Sequence, residues 1–168
     1  WVENKTYDET NITNNWNHII NKNFKMCLDG LTGYDVPVYG STNCLNPNDD
    51  NKFLKLFRLN KDDNGKYIFE QQYNGYALDV KTNNDLYWLE YWNEKTNSNK
   101  FRIFKDNNKN YQFYHEDSGK CIVGNNDDKK TFGKIFLANC NINDRNQLFS
   151  INDVNDDLKV KDNLKFYV

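Results

Sequence analysis

Three tripeptides, Asn51-Lys52-Phe53, Asn99-Lys100-Phe101 and Gln147-Leu148-Phe149, share one pattern: an amide, any residue, an aromatic. Their aromatic members fall 48 residues apart each time. Each leads into an alternating stretch such as Phe101-Arg102-Ile103-Phe104. A spacing this regular implies one supersecondary unit used three times. It also directs the search for function to as many as three equivalent surface sites instead of one cleft.

The repeat extends upstream. Cys44, Trp92 and Cys140 each stand nine residues before the aromatic, preceded by Cys27-Leu28-Asp29, Ala77-Leu78-Asp79 and Cys121-Ile122-Val123. Eight residues before those come Ile19, Phe69 and Phe113, each in a short alternating stretch. Turn formers such as Asp62-Asp63-Asn64-Gly65, Asp106-Asn107-Asn108 and Asp117-Ser118-Gly119 separate these landmarks. No stretch holds a 3.6-residue period, so each block reads as about four short strands. Three such blocks, at 16–59, 60–106 and 107–152, predict an all-β fold, a β-trefoil with pseudo-threefold symmetry. Residues 1–15 read as a linker or N-terminal extension. Residues 153–168 read as a closing strand or tail, with alternating segments at Leu158-Lys159-Val160 and Leu164–Val168.

The four cysteines support the same division. Cys27 and Cys44 lie in block one, Cys121 and Cys140 in block three, and block two lacks both positions, having Ala77 and Trp92. Joint absence is what a bridge within each block predicts, so the expected pairs are Cys27–Cys44 and Cys121–Cys140. Two bridges imply an oxidising compartment and a secreted or cell-surface chain. The competing reading is four buried free thiols.

Composition narrows the function. With 22 basic and 24 acidic residues the net charge is −2, which removes the electrostatic argument for nucleic acid or an anionic membrane. The run Asp127-Asp128-Lys129-Lys130 reads as a solvated loop. An aromatic fraction of 15 % supplies the buried area that a disordered chain lacks. No apolar run approaches the roughly 18–20 residues needed to insert across a bilayer. The sole Met is Met26, so the sequence reads as a processed chain or an excised domain. Asn4-Lys5-Thr6 and Asn11-Ile12-Thr13 are potential glycosylation sites. Two histidines, His18 and His115, few serines, and no phosphate loop, nucleophile elbow or Cys-x-x-Cys argue against an enzyme, a metal or a cofactor. The acidic pairs Asp62-Asp63 and Glu116-Asp117 fall in turns and read as solvated.

Gln147-Leu148-Phe149, its two Asn-x-Phe counterparts and Cys27-Leu28-Asp29 resemble the R-type lectins, ricin B-chain-like β-trefoils with repeated Gln-x-Trp motifs. The likeness covers about residues 16–152, with Phe replacing Trp throughout and Asn replacing Gln twice. It implies that Phe53, Phe101 and Phe149 are core residues. It also implies that sugar is held by an aspartate two residues after the first cysteine, a stacking ring before the second cysteine, and a polar side chain beside the motif. Carried over, block two offers Asp79, with Trp88, Tyr91 and Asn93 nearby and Ser98 and Asn99 beside the motif; Trp92 is expected to fill the space of the missing bridge. Block one offers Asp29 and Asp50, with Thr42 at the aligned aromatic position and Tyr39 or Tyr34 as substitute rings. Block three has Val123 where the aspartate belongs and keeps Asn146, with Asn125 or Asp127 as substitutes; it is expected to be silent. The ranking is block two, then block one.

The implied function is a non-catalytic carbohydrate-binding module of a larger protein, with glycans or glycoproteins, galactose-type sugars among them, as partners. The alternative is a trefoil without sugar binding that contacts another protein or other domains of its parent chain. Burial of Asp79 or of its ring would favour that alternative.

Overall fold

The computed structural model of the chain describes residues 6–7, 15–30, 35–44, 55–81, 85–89 and 98–153. Among them are fourteen strands: β1 (Thr6–Tyr7), β2 (Asn17–Asn21), β3 (Met26–Asp29), β4 (Val36–Pro37), β5 (Tyr39–Ser41), β6 (Phe57–Lys61), β7 (Tyr67–Gln71), β8 (Ala77–Val80), β9 (Leu86–Leu89), β10 (Phe101–Lys105), β11 (Tyr111–His115), β12 (Lys120–Asn125), β13 (Phe132–Asn139) and β14 (Phe149–Asp153). Six of them close a ring: β2 pairs with β6, β6 with β7, β7 with β10, β10 with β11, β11 with β14, and β14 with β2. The hairpins β3–β5, β8–β9 and β12–β13 rise from this barrel, one per block. This is the β-trefoil. The pairing that closes the barrel against β2 is made by β14; residues 154–168 lie outside the described residues. Thr6 and Tyr7, in the N-terminal extension, pair with Lys105 and Phe104 of β10.

Alternation drives the barrel. Along Tyr67–Gln71 every second residue is buried, and the same holds at Phe101 and Ile103, as a pleated strand with one face inward requires. Ile19, Phe69 and Phe113 form one fully buried layer and Phe57, Phe101 and Phe149 another. Phe69 meets Phe101 and Phe113 edge-on at 5.1 Å, and Phe113 meets Phe149 at the same distance. Such ring pairs add about 0.5–1.5 kcal/mol each beyond their buried area.

The ring also fixes the register of the repeat, and it corrects block one. At the three block boundaries Asn17 opposes Phe57, Tyr67 opposes Phe101, and Tyr111 opposes Phe149. The counterpart of Phe101 and Phe149 is therefore Phe57, and the block-one motif is Lys55-Leu56-Phe57; residues 51–53 lie outside the described residues. Lys55 takes the place of the amide. Gln147 Nε2 donates to the carbonyl of Asn139, the residue before Cys140, at 2.8 Å. Lys55 Nζ donates to the carbonyl of Asn43, the residue before Cys44, at 2.5 Å. Lys55 is 3 % exposed. A glutamine also accepts, and Gln147 Oε1 receives the Asn141 amide at 3.0 Å; an ammonium cannot do this.

Local turns repeat as well. Lys25, Gly75 and Gly119 occupy equivalent left-handed positions, at φ 56°, 75° and 71°. Their amides return to the carbonyls of Asn21, Gln71 and His115. Two blocks use the residue that enters this region freely and block one uses a lysine. Asp62 and Asp106 each accept two backbone amides across the β6–β7 and β10–β11 turns. Both disulfides join the expected pairs, Cys27–Cys44 and Cys121–Cys140, with Cα atoms 5.5 and 5.0 Å apart. Each loop is of a length that contributes on the order of 3 kcal/mol.

The acidic turn residues are not simply solvated. Glu116 pairs with Arg102 at 2.9 Å and with Lys66 at 3.1 Å, tying block three to block two, and Lys100 pairs with Asp62 at 3.2 Å within block two. The Arg102 hydrogen bond, aided by Lys66, outweighs partial burial and holds the Glu116 carboxyl below its usual range. Burial alone would raise the Asp62 carboxyl, but the Lys66 and Asn64 amides and the Lys100 ammonium hold it low.

The Lys55 assignment predicts that Lys55→Ala, which removes the donor to the Asn43 carbonyl, costs about 1–3 kcal/mol in urea unfolding. Lys55→Gln, which restores a donor, should stay within about 1 kcal/mol of wild type. Equal loss in both variants would contradict the motif role.

Candidate functional site

The hairpins bring together what linear alignment kept apart. Asp29 lies directly opposite Tyr39, Asp79 opposite Tyr87, and Val123 opposite Phe136. Opposed residues of an antiparallel pair share a face, their Cβ atoms about 4.5–5.5 Å apart. Every block thus sets an aromatic residue against the aspartate position. Tyr39 was among the expected rings; Tyr87 and Phe136 were not. Counting back from the second cysteine misses them because the aromatic follows the aspartate position by ten, eight and thirteen residues in the three blocks. Only strand register reveals the correspondence.

Both aspartates are buried, at 2 % exposure for Asp29 and 1 % for Asp79. Asp79 Oδ1 accepts the Val80 amide at 2.7 Å, the behaviour of an aspartate that shapes its own turn. Gly30, next to Asp29, lies so close to Gln71 that a Cβ would fall 2.0 Å from its Nε2. A side chain at position 30 would have to displace the buried Gln71 amide at the end of β7. Tyr87 is half-buried beneath a cation, with Lys81 Nζ 4.5 Å from its ring centre; Lys81 also pairs with Asp35.

The remaining sequence candidates divide. Asn99 is buried beside Phe101, in the position of the motif amide. Ser98 offers its carbonyl inward to His115. Asn146 likewise gives its carbonyl to Asn21, at 2.7 Å. With the motif at Lys55, position 54 is the block-one counterpart of Ser98 and Asn146. Thr42 is exposed at the rim. Trp88 pairs by backbone with Leu78 and Val36. Tyr34, Asp50, Tyr91, Trp92, Asn93, Asn4 and Asn11 lie outside the described residues.

Three open concavities among the described residues are lined by neither Asp29 nor Asp79. One of about 510 Å³ lies between Tyr39 and the β12–β13 hairpin. Another, of about 320 Å³, lies where β4, β5, β9 and β13 converge, and a third of about 370 Å³ lies over Thr42 and Asn126. No cluster of three or more His, Cys, Asp or Glu able to hold a metal occurs among the described residues, nor any helix long and apolar enough to cross a membrane.

His115 is the titratable group most bound up with the block-two loop. Its Nε2 lies 2.8 Å from the Ser98 carbonyl, which can only accept, so Nε2 carries the proton and Nδ1 faces Ser118 Oγ at 2.7 Å. Burial lowers its pKa below the ordinary 6.5, against the pull of the Ser98 carbonyl, Asp117 and Asp79. The unfolded chain therefore binds the extra proton first, and stability falls as pH drops from 6.5 through the lowered folded value. Comparing urea midpoints at pH 7.5 and pH 5.5 should show this loss in wild type and a reduced loss in His115→Gln. Equal pH dependence in the two proteins would contradict it.

Solved structures share this architecture. The designed 3-fold symmetric protein ThreeFoil superposes with a TM-score of 0.68 at 17 % identity, over 82 % of this chain and 98 % of that one. The cytolethal distending toxin of Actinobacillus actinomycetemcomitans gives 0.71 at 12 % identity, over 86 % and 94 %. The Polyporus squamosus lectin, solved bound to a human-type influenza-binding epitope, gives 0.64 at 12 % identity, over 84 % of this chain and 49 % of that one. No curated protein matches the chain by sequence. The family model of the ricin-type β-trefoil lectin domain matches residues 15–149, most of the chain and all three blocks, and the chain belongs to that family of carbohydrate-binding domains.

Proposed function

We propose that the chain is a non-catalytic glycan-recognition module of a secreted or surface-exposed protein, and that it serves a larger parent molecule. The observation that carries this reading is the cross-strand pairing of an aspartate with a tyrosine, Asp29 with Tyr39 and Asp79 with Tyr87, in two of the three hairpins of a lectin-family trefoil. A hydroxyl-rich neutral ligand needs fixed acceptors beside a flat apolar surface, and that pairing sets a buried carboxylate beside a half-buried ring on one sheet face. The two disulfides support an oxidising compartment. Galactose-type sugars are the proposed ligands. The block-two loop, with Asp79, Tyr87 and Asn99 and, near them in sequence, Trp88, Tyr91 and Asn93, is the first proposed site; Asp29 and Tyr39, with Asp50, form the second. Several weak sites gain by avidity, roughly 10²–10⁴ where geometry allows simultaneous engagement.

A second reading is favoured by one specific observation, the burial of Asp29 and Asp79. Aspartates spent on their own turns suit a trefoil that has exchanged sugar binding for contact with a protein. A glycan array separates the two readings. Wild type should retain galactose-terminated glycans, and Asp79→Asn, which keeps the side-chain shape, should weaken retention at least tenfold with the melting temperature little changed. Wild type that retains no glycan would overturn the glycan reading and leave the second.

A further inference from the structure

The strand β13 breaks the threefold symmetry. It runs for eight residues, Phe132–Asn139, and pairs not only with β12 of its own block but with β5 of block one. The result is a continuous four-stranded sheet, β3–β5–β13–β12, crossing the boundary between blocks. One register row passes through it from Asp29 to Tyr39, Lys134 and Asn125. The crossing depends on glycines. A Cβ on Gly133 would fall 2.3 Å from Met26 Sδ, and one on Gly40 would fall 2.9 Å from Met26 Cβ.

The outward face of β13 is the unusual part. Its alternation turns Ile135 and Leu137 inward and Phe132, Lys134 and Phe136 outward. Phe132 is 47 % exposed. An isolated exposed apolar residue needs no explanation; this one stands at the wall of the 510 Å³ concavity, with Phe136 further along the same strand and Tyr39 across the seam. The opposite rim is the 125–130 loop, which is fixed by its own side chains. Asn125 Oδ1 accepts the Asp127 amide at 3.0 Å, Asn126 accepts the Lys130 amide and donates to its carbonyl at 3.0 and 2.9 Å, and Lys129 sits in the left-handed region at φ 54°. The loop holds the exposed Asp127 and Asp128 at the rim without first having to order itself, which lowers the cost of binding.

We propose that this seam is a glycan subsite, built jointly by blocks one and three, for a neutral pyranose of an oligosaccharide. The sugar's apolar face lies on Phe132 and Tyr39. Its hydroxyls meet the carboxylates of Asp127 and Asp128 and the ammonium groups of Lys130 and Lys134. Two carboxylates balance two ammonium groups, which favours a neutral ring over a phosphorylated or sialylated one. The volume lies within the roughly 300–1,000 Å³ of small-molecule sites. The block expected to be silent, because Val123 replaces its aspartate, then binds by another route. This inference rests on the glycan-binding reading but uses different residues from the Asp79 site.

The test takes the 168-residue chain on immobilised neoglycoproteins bearing terminal galactose, N-acetylglucosamine or mannose, with a sialylated probe for comparison. Phe132→Ala and the double variant Asp127→Asn/Asp128→Asn should each weaken binding of at least one neutral probe tenfold or more, while Asp79→Asn keeps a seam-dependent remainder. Unchanged circular dichroism and melting temperature confirm that these exposed substitutions leave the fold intact. If both seam variants bind every probe as wild type does and only Asp79→Asn loses binding, the seam proposal falls and the glycan reading stands. If wild type binds none of the probes, both fall. If Phe132→Ala changes only the sedimentation of the chain, the exposed Phe132 is a contact with a second copy and the subsite is overturned.

Discussion

Closure of a six-stranded ring around two stacked layers of apolar side chains is the constraint on which everything else depends. The three boundary pairings each bring the first residue of one strand against the motif aromatic of another. Because Phe57, Phe101 and Phe149 must meet Ile19, Phe69 and Phe113 inside one barrel, their depth and spacing are fixed, and so is the point from which each hairpin leaves. The inward ties reinforce this. Asn21 and His115 occupy the same strand-end position and reach the carbonyls just before the motif amide, those of Asn146 and Ser98. The motif thus anchors strands and loops together, and none of its aromatic rings is left for a ligand.

The sequence made the three blocks legible because core positions repeat by residue type: Phe101 and Phe149 keep the aromatic, and the β3, β8 and β12 positions keep their apolar pattern. The disulfide pairs were legible because block two lost both cysteines at once. Block one misled, because Lys55 hides the amide position and a nearby Asn51-Lys52-Phe53 supplies the expected letters at the expected spacing. An ammonium and an amide can donate to the same carbonyl, and a search for amides does not see that equivalence. The aromatic partners of the aspartates were illegible for a different reason. Cross-strand partners are set by register, and the hairpin loops between them differ in length from block to block.

The same unequal hairpins separate function from frame. The barrel repeats its contacts threefold, whereas the hairpins carry aspartate and tyrosine in two blocks and valine and phenylalanine in the third. In block three the lengthened β13 reaches across to β5 and turns two aromatic residues to solvent. Glycines at 40, 124 and 133 let the backbones close over Met26, so packing beneath the sheet and surface chemistry above it are coupled. A symmetric scaffold can host asymmetric recognition because loop length is cheap to vary while barrel register is not.

The most direct measurement is an amide NMR titration of the chain with a neutral galactose-containing oligosaccharide. Shifts should concentrate on the hairpins, near Asp79 and Tyr87 and around Phe132, while the amides of Ile19, Phe57, Phe69, Phe101, Phe113 and Phe149 stay in place. Shifts centred on those six barrel residues, or none anywhere at saturating sugar, would contradict this.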